Sequence, residues 1–357
     1  MRTSAEPTPG SEALAGEAEA SADAAAREEF VAHKSRHWGF PGLANLPTLR
    51  PMVDKVKKIW LDGEYVDWES ANVHLLTHTL HYGLAAFEGM RAYQRKDGKT
   101  FIFRLREHID RLFDTCKLAL LEPKATHEDF MQVSSELLRQ NGMPDGYLRP
   151  MVFVGDGAMG IYAPNNPARS TVIAWKWGSY LGDDALKNGI RAKISSFQRH
   201  HINVSLAKAK MNGQYTNSIL AKREAKFGGY DEAIMLDTQG YVSEGTGENI
   251  FLVKKGVLYT PDLSCSILEG ITRDTIITLA REQGLEVVET RVTRDQLWLA
   301  DEVFMTGTAA EVTPIREIDD RKVGTGTVGP ITKRLQEKFF DIVRGSDDSH
   351  PEWLSPV

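Results

Sequence analysis

The sequence has few cysteines and no long hydrophobic run, and each absence narrows the class of protein. Only Cys116 and Cys265 occur in 357 residues, so there is no disulfide framework and no C-x-x-C motif for metal or redox chemistry. No apolar run is long enough to cross a membrane, and the N-terminus lacks the charged-then-apolar order of a secretory signal. These features predict a protein of the reducing cytoplasm.

An excess of charge of one sign is also absent. The net charge is −6, and the 43 basic and 49 acidic residues are interleaved along the chain. Neither a nucleic-acid-binding face nor a polybasic membrane patch is therefore indicated. We expect small molecules or further subunits as partners, with no nucleic acid and no membrane.

Length and hydrophobic content predict two domains, because 357 residues with 41% hydrophobic content exceed what one core usually fills. The first 30 residues contain almost no large apolar side chains, which predicts a largely flexible N-terminal extension. The predicted order is an extension over 1–55, a small α/β domain over 56–176, an interdomain loop over 177–187, a larger domain over 188–345 and a tail over 346–357.

Hydrophobic periodicity predicts a mixture of strands and helices, which places the chain in an α/β (α+β) two-domain class. In the first domain we expect a hairpin at Asp62-Gly63, helices from about Arg106 to Leu120 and from Thr126 to before Gly142, and strands over 148–154 and 171–175. In the second we expect strands near 192–195, 233–237, 250–253, 257–260, 286–290 and 302–305, and helices near 215–226, 273–283 and 331–343.

One carboxylate, Glu244, lies at a predicted turn between two apolar runs. Residues 233–236 and 250–253 are typical of core strands, and the residues beside Glu244 are too small to shield it. Burying an unpaired carboxylate costs several kcal/mol. We therefore expect a cationic partner supplied by a ligand, such as the protonated ring nitrogen of a cofactor.

Two lysines and two turns carry the other parts that such a cofactor requires. Lysine can form a covalent link to an aldehyde, and either Lys208 or Lys210 could do so, since both precede a tight turn and a predicted helix. The glycine turn before residue 271, with Thr272 as the expected N-cap, would offer free N–H groups to a phosphate. The turn containing Thr308 could present a second anion site, although both turns could equally be structural.

Five motifs, in order, resemble those of the branched-chain-amino-acid aminotransferases, which are fold-type IV enzymes that use pyridoxal 5'-phosphate. The motifs are HYGLAAFEGMR at 81–91, YLRP at 147–150, SEGTGEN at 243–249, GITRD at 270–274 and GTAAE at 307–311. The resemblance runs from about residue 57 to residue 344. It implies a small N-terminal and a larger C-terminal α/β domain, joined by an interdomain loop.

The resemblance also implies roles for individual residues. Lys210 would carry the cofactor, because the lysine of the family lies five residues before a tyrosine, here Tyr215, whose hydroxyl would face the ring oxygen. Glu244 would pair with the pyridine nitrogen, and Lys208 would be structural. The residues expected to bind the phosphate are Arg111, Ile271, Thr272 and Thr308.

The implied reaction exchanges an amino group between branched-chain L-amino acids (leucine, isoleucine, valine) and 2-oxoglutarate, giving branched 2-oxo acids and L-glutamate. The expected substrate contacts are Tyr82, Phe87 and Tyr180 for the apolar side chain, Tyr147 and Arg149 for the distal carboxylate, Thr308, Ala309 and Ala310 for the α-carboxylate, and Arg91 in the same pocket. Members of the family are homodimers or higher homo-oligomers, so we expect an oligomer.

Other functions are disfavoured but give alternatives. The run 324–329 spells G-x-G-x-x-G, yet no strong strand precedes it and fewer than thirty residues follow, which argues against an NAD-dependent oxidoreductase. His74, His78 and His81 could suggest a metal-dependent hydrolase, but no H-E-x-x-H motif is present, so no metal is expected. Within the same fold, D-amino-acid aminotransferase and aminodeoxychorismate lyase remain the alternatives.

Overall fold

A computed structural model describes residues 53–178 and 181–357, which form two β-sheets with flanking helices. The predicted extension up to residue 52 and the predicted pocket residue Tyr180 lie outside the described residues. The strands are β1 (Lys58–Leu61), β2 (Glu64–Asp67), β3 (Ala85–Phe87), β4 (Met90–Gln94), β5 (Thr100–Phe103), β6 (Gly146–Val154), β7 (Ala168–Trp175), β8 (Ile190–Ile194), β9 (Glu232–Leu236), β10 (Val242–Gly245), β11 (Asn249–Lys254), β12 (Val257–Thr260), β13 (Val287–Glu289), β14 (Glu302–Gly307), β15 (Glu311–Ile318), β16 (Arg321–Lys322) and β17 (Leu354–Pro356). The α-helices are α1 (His78–Tyr82), α2 (Leu105–Leu118), α3 (His127–Gln140), α4 (Asp183–Asn188), α5 (Tyr215–Phe227), α6 (Ile271–Glu282), α7 (Arg294–Trp298) and α8 (Pro330–Arg344).

The first sheet is antiparallel and has the strand order β17-β5-β4-β6-β7-β1-β2, with β3 also paired to β6. The predicted hairpin is confirmed, since β1 pairs with β2 across Asp62 and Gly63, which both take the positive φ that such a turn requires. Strand β17 pairs with β5, so the end of the predicted tail completes this sheet.

The second sheet is mixed and has the order β10-β9-β8-β15-β14-β11-β12-β13, with β16 paired to β15. Its parallel pairs are β15 with β8, β8 with β9, and β12 with β13. Strands β9, β11 and β14 are almost wholly buried, as their continuous apolar runs predict.

The helices of the first half bury one face against the first sheet. Ile109, Leu112 and Cys116 on α2 recur at helical spacing and are all buried in its core. Helix α3 begins with the predicted capping box, in which the side chains of Thr126 and Asp129 each accept a hydrogen bond from the other residue's backbone N–H. Within the described residues, no helix is both long enough and apolar enough to cross a bilayer.

The two sheets meet beside Lys210. Phe87 of β3 donates its N–H to the Lys210 carbonyl at 3.1 Å, and Ala86 forms a bridge with Met211. The Lys210 N–H in turn donates to Thr115 Oγ1 of α2 at 3.0 Å. The backbone on both sides of this lysine is therefore fixed by the first sheet and its helix.

Candidate active site

A cavity of about 380 Å³ opens at the junction between the sheets. Most of the predicted site residues line it, although they are spread over more than 220 positions of the sequence. They are Phe87, Arg111, Tyr147, Arg149, Lys210, Tyr215, Glu244, Ile271, Thr272, Thr308 and Ala309.

Lys210 extends its amino group into this cavity. Its Nζ donates to the Tyr215 hydroxyl at 2.7 Å and lies 4.9 Å from the centre of the Phe87 ring. Lys208 points elsewhere, because its Nζ donates to the carbonyls of Leu263 and Ile267 at 2.7 and 3.0 Å. The geometry therefore favours Lys210 over Lys208 as the reactive lysine.

Glu244 lies in β10 and already has a cationic partner within the protein. Arg199 Nη2 donates to Oε1 at 2.7 Å, while Oε2 accepts from Asn249 Nδ2 at 3.1 Å and from the Leu268 N–H at 3.2 Å. The expectation that only a ligand would supply the cation was wrong, because the sequence places Arg199 45 residues away. A carboxylate has about four acceptor positions, so Oε1 can still accept from a ligand donor.

The phosphate end of the cavity is the start of α6. The prediction that Thr272 is the N-cap was wrong, because Gly270 occupies that position and the helix begins at Ile271. A Cβ at residue 270 would lie 1.8 Å from Asn249 Oδ1, so only glycine allows the helix to begin so close to Asn249. No side chain caps this end, and the first N–H groups of a helix have no acceptor of their own, so they suit an anion.

Arg111 lies beside this helix start and is not a solvated surface charge. Its Nη1 donates to the Glu269 carbonyl at 2.6 Å, one residue before the N-cap. Its Nε and Nη2 donate to the two carboxylate oxygens of Glu88 at 2.6 and 2.9 Å. The guanidinium is thus tethered on two sides while it lines the cavity.

The other end of the cavity is aromatic and contains one cation. The Arg149 guanidinium lies 4.7 Å from the Phe87 ring centre and 5.5 Å from that of Trp175. It also donates to the Tyr147 hydroxyl at 3.3 Å, and among the described residues its buried Nε has no partner. This wall therefore offers apolar surface together with donors for a carboxylate.

Arg91 does not line the cavity but holds the loop that does. Its Nε donates to the Thr308 carbonyl at 3.1 Å, and its Nη2 donates to the carbonyls of Gly178 and Ala309 at 2.8 and 3.3 Å. Glu311, 3.7 Å from Nη1, balances the charge. The expected contact between Arg91 and substrate is thus replaced by contacts with the backbone.

Two further predicted pocket residues do not line the cavity of a single chain. Tyr82 is 46% exposed and packs on His78, with ring centres 4.5 Å apart. Ala310 is buried, and its carbonyl accepts from Thr313 Oγ1 at 2.6 Å. Their contact with substrate stays a prediction.

The cavity fits a flat aromatic phosphate ester. It carries a lysine, a carboxylate and an anion-binding helix start on separate walls. Within the described part of the chain, Thr306 Oγ1 and Arg199 Nε are buried without a partner, and both residues line this cavity. Unpartnered buried polar atoms are expected where a ligand completes the hydrogen bonding.

Comparison with known proteins agrees with this geometry. The family model for amino-transferase class IV matches residues 85–318. A branched-chain-amino-acid aminotransferase of Pseudomonas aeruginosa is 51% identical over 306 residues, covering 86% of this chain and 99% of the relative. The chain belongs to the branched-chain-amino-acid aminotransferases.

Solved structures of this aminotransferase family have the same fold. The branched-chain amino acid aminotransferase of Escherichia coli matches with a TM-score of 0.83 and 45% identity, over 84% of this chain and 99% of that one. A second bacterial-type relative, solved in complex with N-(5'-phosphopyridoxyl)-L-glutamate, matches with a TM-score of 0.79 and 44% identity, over 84% and 98% of the two chains. The two-sheet fold and the pyridoxal 5'-phosphate cofactor that the motifs predict are thereby confirmed.

Sequence reasoning missed three residues that line or complete the site of this aminotransferase. Arg199 and Asn249 hold Glu244, and the Trp177 ring lies 4.5 Å from Tyr147 on the cavity wall. Asn249 closes the quoted SEGTGEN motif and could have been found there. Arg199 had no local signal, because its pairing is visible only in the folded chain.

The motifs that suggested other functions have structural roles in this aminotransferase. His78 Nε2 contacts the Gly160 carbonyl at 2.8 Å, and the described residues contain no group of three side chains that could hold a metal. After the G-x-G-x-x-G run, the backbone N–H groups of Ile331 and Thr332 donate to the Glu302 carboxylate. That helix start already has its anion.

Proposed function

We propose that the chain transfers the amino group of L-leucine, L-isoleucine and L-valine to 2-oxoglutarate, with Lys210 as the residue that holds the cofactor. Family membership supports the reaction class, and the 2.7 Å contact between Lys210 Nζ and Tyr215 in the cavity supports the choice of lysine. This contact is the observation that carries the assignment.

When bound, pyridoxal 5'-phosphate supplies an aldehyde for covalent attachment and a ring that withdraws electrons from the substrate. Glu244 would hold the ring nitrogen protonated, and Arg199 and Asn249 keep that carboxylate ionised and oriented. Tyr215 would orient the ring oxygen. The phosphate donors would be Arg111, Thr308 and the N–H groups of Ile271 and Thr272.

Lys210 would also move the proton that the reaction requires. Once substrate has displaced it, its amine takes a proton from the substrate α-carbon and returns it one atom away, acting as base and then as acid. Tyr215, at 2.7 Å from Nζ, limits the positions of that amine. The loop of Thr308 and Ala309 would hold the α-carboxylate while this occurs.

The aromatic end of the cavity suits both kinds of side chain. A branched apolar side chain would pack on Phe87, Tyr147 and Trp177, which line the cavity. The distal carboxylate of glutamate would meet the Arg149 guanidinium, whose Nε is without a protein partner within the described ranges. The solved relative that is complexed with a phosphopyridoxyl glutamate supports glutamate as the second substrate.

An assay of three amino donors tests this proposal against its rivals. Purified protein with pyridoxal 5'-phosphate and 2-oxoglutarate should form glutamate from L-leucine, with the D-enantiomer as the matched control. Turnover of D-alanine, or release of pyruvate from aminodeoxychorismate, without turnover of L-leucine would contradict the proposal.

We also infer that the chain works as a homodimer or higher homo-oligomer in the cytoplasm, with domains over 56–176 and 188–345. Leu75, Leu80, Ile161, Tyr162 and Val204 are large apolar residues that are at least 61% exposed in the single chain. A second copy that covers them would remove this exposure. Light scattering on the eluted protein measures the mass, and a monomer at micromolar concentration would contradict the assembly.

A further inference from the structure

Glu88 is a fully buried carboxylate whose partners lie against the cofactor cavity. It follows β3 and is 0% exposed. Its Oε1 accepts from Arg111 Nε at 2.6 Å, and its Oε2 accepts from Arg111 Nη2, His108 Nδ1 and the Gly89 N–H at 2.9, 2.7 and 3.1 Å. Every contact is a donor, so the side chain is held as an ionised carboxylate.

The neighbours of Glu88 fix its charge. Burial alone would raise the pKa of Glu88, but the Arg111 charge and the His108 hydrogen bond outweigh it and hold the pKa far below its usual range. Burial lowers the pKa of His108, so that imidazole is neutral. Because a carboxylate can only accept, the His108 proton resides on Nδ1.

Arg111 retains donors for a ligand after these contacts are made. A guanidinium has five N–H bonds, of which two go to Glu88 and one goes to the Glu269 carbonyl. The remaining two belong to Nη1 and Nη2. The side chain lines the cavity beside Ile271 and Thr272, at the helix start where the phosphate is proposed to bind.

We propose that Glu88 is a positioning residue for phosphate recognition, which fixes the Arg111 guanidinium in its binding orientation before the cofactor arrives. This inference rests on the proposed function, in which Arg111 binds the phosphate. A long arginine side chain loses rotamer freedom when it binds, and a partner that immobilises it beforehand removes that cost from the binding step. Glu88 touches neither cofactor nor substrate in this account.

The charge of Glu88 distinguishes positioning from simple electrostatics. A negative carboxylate beside a phosphate site repels the phosphate, so charge alone predicts that Glu88→Gln tightens cofactor binding. Positioning predicts the reverse, because the glutamine amide cannot accept both guanidinium N–H groups. The direction of the change therefore decides between the two effects.

The experiment compares two probes that differ only in the phosphate. Affinities of the full-length apoprotein for pyridoxal 5'-phosphate and for pyridoxal are measured by absorbance titration, for the native chain and for Glu88→Gln. We expect Glu88→Gln to weaken pyridoxal 5'-phosphate about 10-fold or more, the scale on which supporting groups of a binding site act, and to leave pyridoxal unchanged. Equal weakening of both probes would mean a structural role only, and no weakening of either would overturn the proposal.

Two controls keep the result interpretable. Glu302→Gln changes another buried carboxylate, which caps α8 away from the cavity, and should not alter the ratio of the two affinities. Glu88→Asp keeps the charge but draws it back by one methylene, so it should also weaken pyridoxal 5'-phosphate selectively and serves if the glutamine variant fails to fold.

Arg111→Met separates failure of this inference from failure of the proposed function. If Arg111→Met leaves the affinity for pyridoxal 5'-phosphate unchanged, the proposed phosphate site is wrong. If it weakens that affinity selectively while Glu88→Gln does not, only the positioning role is wrong. When both hold, adding Glu88→Gln to Arg111→Met should cause no further loss, because the guanidinium it positions is gone.

Discussion

Arg199 donates from Nη2 to Oε1 of Glu244 at 2.7 Å, so the carboxylate proposed to face the cofactor ring is paired even in the protein alone. Both side chains are largely buried. An ionised partner favours the charged form of a carboxylate. Glu244 is thus prepared to hold a ring nitrogen protonated, and Asn249 fixes its second oxygen.

Replacing Glu244 by glutamine tests this preparation. We expect Glu244→Gln to retain much of its affinity for the cofactor but to lose most of kcat, about 100-fold or more, as for a preorganised electrostatic contact. The reason is that a neutral amide cannot keep the ring nitrogen protonated. Steady-state kinetics with L-leucine measures the loss.

Glu289→Gln is the matched control for that substitution. Its carboxylate pairs with Arg273 at 2.8 Å but does not line the cavity. Its kcat should stay close to that of the native chain. If Glu244→Gln were as active as this control, the assignment of Glu244 would be wrong.

Arg91→Met should raise the KM for the amino acid more than it changes the affinity for the cofactor. Arg91 holds the carbonyls of Thr308 and Ala309, which directs the other side of this loop toward the proposed α-carboxylate site. We expect an increase in KM of about 10-fold, equivalent to about 1.4 kcal/mol. A fall in kcat at unchanged KM would contradict this role.

Gly270→Ala should weaken cofactor binding by displacing the start of α6. The added methyl group would lie 1.8 Å from Asn249 Oδ1, so the helix start or the amide must move. Gly178→Ala is the control, because a Cβ there has no atom within 4 Å. Absorbance titration with pyridoxal 5'-phosphate should separate the two variants, and equal affinities would show that the helix start does not bind the phosphate.

Glu248 should make the apoprotein less stable as the pH rises. Burial and the neighbouring Glu232 raise the pKa of Glu248 to about 8, so the folded chain keeps a proton that the unfolded chain releases near pH 4.5. Between these values the unfolded state binds fewer protons, and stability falls by up to about 1.4 kcal/mol per pH unit. Below pH 4.5 both states are protonated and the effect disappears.

Glu248→Gln mimics the protonated form and should flatten this dependence. Its amide oxygen can still accept from the Gly247 N–H, as the carboxylate does at 3.0 Å. Thermal unfolding of the two apoproteins from about pH 5 to about pH 8 gives the comparison. Parallel curves would mean that Glu248 is ionised in the folded chain.

Local patterns predicted most of the secondary structure. Helix α2, predicted from about Arg106 to Leu120, spans Leu105–Leu118, and α5, predicted from Tyr215, begins at that residue. These elements show clear periodicity or capping. The N-cap of α6 was misplaced because Thr272 is the better capping residue, whereas the space available at Gly270 decides the start.

The site was predicted where a motif contains the residue and missed where pairing is distant. Lys210, Tyr215 and Glu244 lie in quoted or adjoining motifs, and all three line one cavity. Arg199 lies outside the five motifs, and its contact with Glu244 depends on how β10 folds back against that segment. Arg91 was placed in the right motif, but its hydrogen bonds to backbone carbonyls follow from the tertiary fold alone.

Lys210→Ala should abolish transamination while leaving the apoprotein folded, because the lost amine is both the point of attachment and the base. Lys208→Ala is the matched control, since that amine is bound to the carbonyls of Leu263 and Ile267. It should retain most of the activity. Activity retained in Lys210→Ala but lost in Lys208→Ala would exchange the two roles.

Reduction of the cofactor-loaded protein with borohydride, followed by peptide mapping, tests the central claim most directly. The treatment makes the link between lysine and pyridoxal 5'-phosphate permanent, so the modified peptide identifies the residue. We predict a single phosphopyridoxyl group on Lys210. A group on Lys208 or any other lysine, or no modified peptide at all, would contradict the account.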